Sequence, residues 1–270
     1  MAKWMEIRKG ADFQAISSRF QITPFTARLI RNKDIVGEKE IEEYLHGGLT
    51  DLHPASCMKG VPEASELLRR KIRQKASIRV IGDYDIDGVC ATYILLKGLE
   101  QAGAEVDTDI PDRKKDGYGL NMDLIRRAKE AGVDTIVTCD NGIAAPAEIA
   151  AAREMGMTVI VTDHHELQDT VPQADVIINP RQPDCPYPYK KLCGAAVAWK
   201  LVQQLWEDLG CSREMLYGDL LMFAAFATVG DVMDLTGENR ILVKEGLRQL
   251  QRTGHPGMSA LIEANELPRG

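Results

Sequence analysis

The sequence contains no apolar run of the roughly 18 residues that a transmembrane helix needs. Residues 1–6 also lack the apolar stretch of a signal peptide. Internal repeats and low-complexity tracts are absent, and the 27% of charged residues, at 44% hydrophobic, is a composition typical of folded proteins. These absences predict a soluble, cytoplasmic protein that makes no membrane contact.

None of the six cysteines belongs to a C-x-x-C pair. Pairs with that spacing are typical of zinc sites and of redox motifs. In a chain of 270 residues without a secretion signal, reduced thiols are expected rather than disulfides. The cysteines are therefore predicted to be inert, and several of them lie in apolar segments.

The chain also lacks an excess of positive charge, with a net charge of −7 and a sequence pI of about 5.4. The total charge gives little support for a nucleic-acid-binding protein, whose usual mark is a basic patch. A local patch nevertheless matters more than the total. A site that holds two divalent cations also needs several carboxylates, which lower the net charge of the chain until the metals bind.

Short apolar runs alternate with helix-like segments from residue 78 onward. Strands are predicted at residues 78–81, 105–110, 135–138, 158–162 and 176–178. Helices are predicted at residues 89–102, 121–131, 145–155, 194–209, 213–227, 239–251 and 258–264. This alternation predicts an α/β fold with a doubly wound, mainly parallel sheet and helices on both faces.

A small helical region is expected before the sheet. A Thr-Pro start predicts a helix at residues 23–30, and Gly47-Gly48 ends another at 38–45. The Lys- and Arg-rich helix at 61–75 is either a solvated face or a basic approach to a phosphate backbone. We predict an N-terminal helical region at 1–58, an α/β domain at 59–236 and the start of connecting helices at 237–270, in a truncated protein.

Four short acidic or histidine motifs follow predicted elements of the sheet domain. They are Asp83-Tyr84-Asp85-Ile86-Asp87-Gly88, Asp140-Asn141-Gly142, Asp163-His164-His165 and Gly230-Asp231. The first three follow strands, and open α/β sheets bind ligands beyond the carboxyl ends of their strands. Alone, the first motif could be an Asp-rich turn or half of a calcium loop, and Asn141-Gly142 an ordinary turn. Together, the motifs predict a ligand site at one edge of the sheet.

Carboxylates combined with one or two imidazoles suit Mn²⁺ or Mg²⁺ better than zinc. Asp85 and Asp87, on a segment predicted to be extended, would diverge toward two neighbouring ions, and Asp140 would bridge them. Two ions about 3.5–4 Å apart activate a water molecule and neutralise phosphoryl oxygens during an in-line displacement. The residues therefore predict a two-metal phosphodiesterase site.

These motifs resemble the DHH phosphoesterase family and, within it, the RecJ branch of single-strand exonucleases. The resemblance is carried by G-D-Y-D-I-D-G (82–88), D-N-G-I (140–143), T-D-H-H (162–165), N-P (179–180) and G-D-V-M-D-L (230–235). G-Y-G-L (117–120), C-G-A-A-V-A (193–198) and E-N-R (238–240) are also similar to that branch. The resemblance covers nearly the whole chain and implies that residues 59–236 form a DHH domain.

The resemblance implies a role for each site residue. Asp85 and Asp140 would hold one Mn²⁺ or Mg²⁺ ion, and the other would be held by Asp87, Asp140, His164 and Asp231. His165 would contact or polarise the substrate phosphate, as a catalytic residue beside Asp140, and Asp163 would orient a histidine. The implied activity is degradation of single-stranded DNA from the 5′ end toward the 3′ end in recombination and repair, with single-strand-binding protein as an expected partner.

Two departures from the family pattern qualify these expectations. Ile81 stands where many members have a metal-binding histidine, and Asp83 is an additional candidate ligand that could compensate. The DHH-associated domain of the family and the oligonucleotide-binding barrel of the RecJ branch do not fit in 270 residues. We therefore expect both to be absent and the cleft to be open on one side.

Candidates for substrate binding come from loops and one helix start. Gly194 opens a helix whose N–H groups could bind a phosphate, although close packing is the alternative reason for a glycine there. Asn141 is a further candidate. Basic and aromatic residues are interleaved at Arg181, Tyr187, Tyr189, Lys190 and Lys191. This pattern suits the binding of single-stranded DNA, but it also occurs in ordinary surface loops. Residues 113–115 are either a second basic contact or a solvated charge run.

Two other functions remain open. One is a DHH enzyme that acts on short oligonucleotides, cyclic dinucleotides or pyrophosphate. The other is a non-catalytic DHH module that serves as a scaffold. The D-Y-D-I-D-G form of the first motif and residues 1–75 before it favour the RecJ branch, and the retained ligand candidates argue against a scaffold.

Overall fold

The structure is a computed structural model that describes residues 9–115, 117 and 119–267. Tyr118 of the G-Y-G-L segment and both chain ends, residues 1–8 and 268–270, lie outside the described residues. The chain divides into two compact units, the first ending at Leu52 and the second beginning at His53. Residues 53–58, which the sequence analysis placed in the N-terminal region, fall in the second unit.

The first unit is helical. Its helices are α1 (Phe13–Phe20), α2 (Pro24–Asn32) and α3 (Glu38–His46). The Thr23 side chain caps α2 by accepting the N–H of Thr26 at 3.1 Å, as the Thr-Pro start predicted. Ile30, Ile35 and Ile41 form the buried centre of this unit. The sequence analysis predicted α2 and α3 but missed α1, in which no residue is buried.

The second unit is built on a parallel sheet of five strands. These are β1 (Ser77–Ile81), β2 (Glu105–Asp109), β3 (Thr135–Cys139), β4 (Thr158–Thr162) and β5 (Val176–Ile178). The strand order is β2-β1-β3-β4-β5, and every neighbouring pair is parallel. The direction of winding reverses between β1 and β3, where doubly wound sheets open a ligand-binding crevice.

Helices cover both faces of this sheet. The helices of this unit are α4 (Val61–Arg73), α5 (Ile86–Gln101), α6 (Met122–Glu130), α7 (Pro146–Glu154), α8 (Gly194–Leu209), α9 (Leu221–Gly230), α10 (Gly237–Arg252) and α11 (Pro256–Ala264), of which α9 and α10 pack on other helices. Leu124 of α6 and Ile149 of α7 pack with Ile136 and Val159 on one face. Neighbouring strand residues point to the opposite face, where α5 and α8 contact the strands. The predicted doubly wound α/β fold is confirmed.

Helix α5 begins three residues before the predicted start at residue 89. The Asp85 carboxylate accepts the N–H of Gly88 at 2.9 Å and caps the helix, so that Ile86 is already helical. Asp87 therefore lies in the first turn of a helix. The prediction that Asp85 and Asp87 share an extended segment was wrong, because the capping strength of Asp85 was overlooked.

The predicted helix at residues 213–227 is interrupted. A wide helical turn, Leu216–Leu220, precedes α9, and Gly218 within it has non-helical angles (φ −96°, ψ −108°). Helix α9 then continues to Gly230, and Asp231 is its C-cap residue. Among the described residues, no helix combines the length and the hydrophobicity needed to span a bilayer.

Candidate metal centre

Carboxylates from three different elements converge on one imidazole. Nε2 of His164, two residues beyond β4, lies 3.0 Å from Oδ1 of Asp140, which directly follows β3. The same nitrogen lies 3.5 Å from Oδ2 of Asp87 and 3.8 Å from Oδ2 of Asp231. These residues come from the ends of two strands, the start of α5 and the end of α9. The structure thus brings together four predicted ligands that are far apart in the sequence.

Two overlapping groups have the geometry to hold a metal ion. One contains Asp140, His164 and His165, and the other contains Asp87, His164 and Asp231. Within each group, one ligand atom from each residue lies within 4.8 Å of the others. The two groups share His164, and Asp140 belongs to the first. A bridging role for Asp140 stays a prediction.

Asp140 is buried in an acidic environment. Its backbone has φ 59°, in the left-handed region that Asp tolerates better than most residues. Its side chain is 1% exposed. Burial, together with the nearby charges of Asp87 and Asp85, raises the pKa of Asp140 to about 11. A divalent cation in this place would remove the cost of ionising the carboxylate.

Asp87 is stabilised differently, by the start of α8. Its Oδ2 accepts the N–H of Gly194 at 2.6 Å, and its Oδ1 accepts the N–H of Ala195 at 2.8 Å. The positive end of a helix favours a carboxylate in this position. The N–H of Gly194 is thus engaged by Asp87, whereas the sequence analysis assumed that it would be open to a phosphate.

Gly194 also permits close packing against the centre. A Cβ atom at this position would lie 2.7 Å from Cβ of Asp140 and 2.8 Å from its Oδ1. No side chain fits at such a distance. The packing reason for this glycine is therefore observed, and its contact with a substrate stays a prediction.

Asp163 orients His165. Its Oδ1 lies 2.7 Å from Nδ1 of His165 and also accepts the backbone N–H groups of both histidines, while its Oδ2 accepts the N–H of Ile143 at 2.9 Å. Burial alone would raise the pKa of Asp163, but the hydrogen bond and charge of His165 and the backbone donors hold it below its usual value. The same hydrogen bond raises the pKa of His165.

Asp83 and Asp85 lie outside both groups of potential ligands. Asp83 is fully buried, and burial raises the pKa of its carboxyl. Asp85 is exposed, and its carboxylate caps α5. Ile81, at the position of the family histidine, is completely buried with Leu124 and Ile136 in the core. In this structure, Ile81 therefore belongs to the packing of the sheet.

The basic candidates Arg181 and Lys191 line an open groove of about 630 Å³. Each is paired with an acidic residue: Arg181 contacts Glu166, and Nζ of Lys191 lies 2.6 Å from Oδ2 of Asp234. Asn141 lines a second cavity of about 410 Å³ with His165. The side-chain amide of Asn141 donates to the carbonyls of Ile81 (3.2 Å) and Cys139 (3.0 Å), so it also ties the ends of β1 and β3 together.

The place of Tyr187 in the basic and aromatic segment suggested that it could stack on a base, but its position in the structure prevents this. It is fully buried, and its hydroxyl donates to Oε2 of Glu238 at 2.6 Å. The other oxygen of Glu238 lies 3.1 Å from Nζ of Lys200, which also donates to the carbonyl of His53. This buried ion pair was not predicted from the sequence. A lysine within the apolar stretch of α8 was the available signal.

The profile of the DHH family, N-terminal domain, matches residues 77–228. The single-stranded-DNA-specific exonuclease RecJ of Bacillus subtilis is 38% identical over 262 residues, which cover 97% of this chain and 32% of that protein. The protein of the same name from Thermus thermophilus is 40% identical over 235 residues, covering 85% of this chain and 34% of the relative. The chain thus spans about a third of the length of these curated relatives.

Comparison with solved structures gives the same family assignment as the sequence relatives. A crystal structure of exonuclease RecJ bound to manganese matches with a TM-score of 0.70 at 40% identity, covering 77% of this chain and 52% of that one. RecJ of Thermus thermophilus in complex with Mn²⁺ matches with a TM-score of 0.78 at 32% identity, covering 95% of this chain and 36% of that one. With a family profile that covers more than half of its residues, the chain belongs to the DHH family.

Proposed function

We propose that this chain is the catalytic DHH domain of a RecJ-like exonuclease, which degrades single-stranded DNA from 5′ to 3′ and uses two Mn²⁺ or Mg²⁺ ions. The observation that carries the proposal is the convergence of Asp87, Asp140 and Asp231 on His164 at the topological switch point of the sheet. The relatives named as single-stranded-DNA-specific exonucleases support the choice of substrate.

The donor set fits divalent cations. Among the described residues, Nδ1 of His164 is buried without a hydrogen-bond partner, and Oδ1 of Asp140, although 3.0 Å from Nε2 of His164, is buried without a hydrogen bond of normal geometry. Buried polar atoms normally have partners, and several carboxylates at close range repel one another when they are ionised. Bound cations would give these buried atoms partners and would reduce the repulsion between the carboxylates. Oxygen and imidazole ligands, without a thiolate, favour Mn²⁺ or Mg²⁺.

Each residue then has a defined task. Asp87, Asp140, His164 and Asp231 hold the ions, and Asp85 or Asp83 would complete their coordination. Bound ions would activate water and neutralise charge on the phosphoryl oxygens. His165, which Asp163 holds in place, contacts the phosphate. The rest of the single-stranded DNA is proposed to contact four residues, Arg181, Lys191, Asn141 and Gly194.

The proposal also covers the organisation of the chain. The DHH domain, predicted at residues 59–236, begins at His53 with the second compact unit, the N-terminal region ends at Leu52, and residues 237–270 begin the helices that connect the domain to later ones. Single-strand-binding protein is the expected partner of the full-length enzyme. Calorimetric titration of the chain with Mn²⁺ would distinguish this enzyme from a scaffold, which would bind no metal.

The test uses oligonucleotides labelled at the 5′ or the 3′ end, with Mn²⁺. The wild-type chain should release labelled mononucleotide from the 5′-labelled strand first, and Asp140→Ala should lose activity by about a thousandfold or more, because it disrupts the alignment of the ions. Asp123→Ala, at an exposed carboxylate of α6 that pairs with Arg126, is the control and should remain active.

Nuclease activity that survives in Asp140→Ala would contradict the two-metal site. Release from the 3′ end first would contradict the polarity. Hydrolysis of dinucleotides or bis-nitrophenyl phosphate without degradation of long strands would instead favour the small-substrate DHH enzyme.

A further inference from the structure

Val232, the residue after the proposed ligand Asp231, has an unusual backbone conformation. Its φ is 55°, in the left-handed region. Six non-glycine residues in the described part of the chain have positive φ, and Val232 is the only β-branched one among them. A β-branched residue is strained in this region because its side chain crowds the backbone.

The strain arises at the end of α9. The N–H of Val232 donates to the carbonyl of Val229, and the N–H of Met233 donates to the carbonyl of Thr228, both at 3.1 Å. This pair of hydrogen bonds is the Schellman motif, in which the position of Val232 is usually glycine. The helix end would therefore form more easily without the valine side chain.

The side chain of Val232 also contributes little to the core. It is 88% exposed, the largest value for a large hydrophobic residue in the part of the chain that the structure describes. Neither the backbone nor the packing of the fold accounts for a valine here. Strained residues that a fold retains tend to lie at functional sites, and this one is directly bonded to Asp231.

Val232 lines the open groove together with three cationic side chains, Arg181, Lys190 and Lys191, and the two carboxylates that pair with Arg181 and Lys191. Arg181 and Lys191 are each held by an acidic partner, and Nζ of Lys190 donates to the carbonyl of Cys185. An apolar contact beside positioned cations fits a nucleotide, which offers an apolar sugar and base surface next to its phosphates. A protein segment of this size would also fill the groove, but it would not require the cations.

We infer that Val232 is a substrate-positioning residue, whose side chain packs against the sugar or base of the nucleotide next to the metal centre while its phosphate is bound there. This inference rests on the proposed function and adds a contact to it. Because the contact is apolar, it does not distinguish one base from another. The strained valine therefore makes the helix end less stable but provides a contact with the single-stranded DNA.

The experiment compares Val232→Ala, Val232→Gly and the conservative Val232→Ile with the wild-type chain. Leu209→Ala is the matched control, because Leu209 is also exposed but lies about 22 Å from Gly194 along the axis of α8. Binding of a fluorescein-labelled 12-nucleotide oligothymidylate in Ca²⁺ is followed by anisotropy. Binding of Mn²⁺ alone is measured by calorimetry.

Val232→Ala and Val232→Gly should weaken oligonucleotide binding by about three- to tenfold, the effect of losing one or two methyl contacts. Val232→Ile and Leu209→Ala should bind as the wild type does, and Mn²⁺ binding should be unchanged in all four variants. The loss in Val232→Gly is the sharpest result, because glycine relaxes the helix end and removes only the contact.

Oligonucleotide binding that is unchanged in both Val232→Ala and Val232→Gly overturns the inference. A wild-type chain that binds Mn²⁺ but no oligonucleotide also overturns it, and would favour a protein partner for this face. Failure of the proposed function would give a different result. A wild-type chain that binds the oligonucleotide but no Mn²⁺ would contradict the metal site. The binding of the oligonucleotide to the Val232 variants would then decide the inference by itself.

Discussion

Oδ2 of Asp87 accepts the backbone N–H of Gly194 at 2.6 Å, which ties the first turn of α5 to the first turn of α8. The two residues are 107 positions apart in the chain. The contact gives Asp87 a fixed direction and a favourable helix end. Gly194 also leaves room for Asp140, because a Cβ atom at this position would lie 2.7 Å from Cβ of Asp140. The small size of Gly194 therefore allows the start of α8 to support Asp87 and to pack against Asp140 at the same time.

Gly194→Ala should weaken Mn²⁺ binding by about tenfold or more, the usual effect of disturbing the support of a metal ligand. The reason is that the added Cβ would lie 2.7 Å from Cβ of Asp140, so the ligand or the helix must move. Calorimetric titration with Mn²⁺ measures the effect. Gly254→Ala, where a Cβ would meet nothing within 4 Å, is the control. Equal affinities in the two variants would contradict this account.

Asp140→Asn should stabilise the metal-free chain, and its advantage in unfolding free energy over the wild type should grow by roughly 3 kcal/mol between pH 6 and pH 8, since each pH unit below the folded-state pKa costs about 1.4 kcal/mol. The folded-state pKa of Asp140, about 11, lies above its ordinary value of 3.8. The protonated carboxyl of Asp140 therefore contributes its full stability below about pH 4, and the free energy of unfolding falls as the pH rises toward 11. Asparagine is neutral throughout and accepts the left-handed backbone.

Urea unfolding in EDTA at pH 6 and pH 8 checks this second prediction. The advantage of Asp140→Asn over the wild type should be larger at pH 8. An advantage that is the same at pH 6 and pH 8 would mean that the carboxyl of Asp140 is ionised without cost in the folded chain.

Addition of Mn²⁺ should raise the thermal midpoint of the wild-type chain at pH 8, and EDTA should reverse the effect. A ligand present at a hundred times its dissociation constant contributes about 2.7 kcal/mol. The increase should be absent or strongly reduced in Asp140→Asn, because the amide cannot supply an anionic ligand. Scanning calorimetry of both proteins measures it, and an equal increase in both would exclude Asp140 from the metal site.

Asp163→Asn should lower the pKa of His165 back toward 6.5, since the hydrogen bond to Asp163 is the main cause of its elevation. It should also cost about 2 kcal/mol of stability, because a buried acceptor of several N–H groups is replaced by a neutral amide. NMR titration of the histidine ring protons in EDTA gives the first value, and urea unfolding gives the second. An unchanged titration of His165 would contradict the hydrogen bond.

Lys200→Met should destabilise the chain by about 3–5 kcal/mol, because it leaves the carboxylate of Glu238 buried without its cation. The double variant with Glu238→Gln should recover much of this loss, since glutamine is neutral, its carbonyl oxygen can still accept the N–H of His53, and its NH2 group can donate to the hydroxyl oxygen of Tyr187. Urea unfolding of the single and double variants measures both effects. A single variant as stable as the wild type would show that the ion pair contributes nothing.

The central strands β3 and β4 were predictable because they are buried. Apolar runs such as residues 135–138 and 158–162 agree with β3 and β4 within one residue. A parallel sheet then places every residue that follows a strand at the same edge, and so the positions of Asp140 and His164 could be derived from sequence order and topology. The types of these residues were enough to suggest divalent metals.

Other features depended on contacts between distant segments. Asp87 is directed by α8, and Asp231 reaches His164 because α9 ends near the strand ends. Tyr187 can be buried because Glu238, 51 residues later, accepts a hydrogen bond from its hydroxyl group. Composition and local pattern carry no information about such partners. The sequence determined the sheet, its helices and the chemistry at its edge, whereas only the tertiary structure decided which carboxylates face one another and which of them are buried, since burial and pKa depend on what packs around a group.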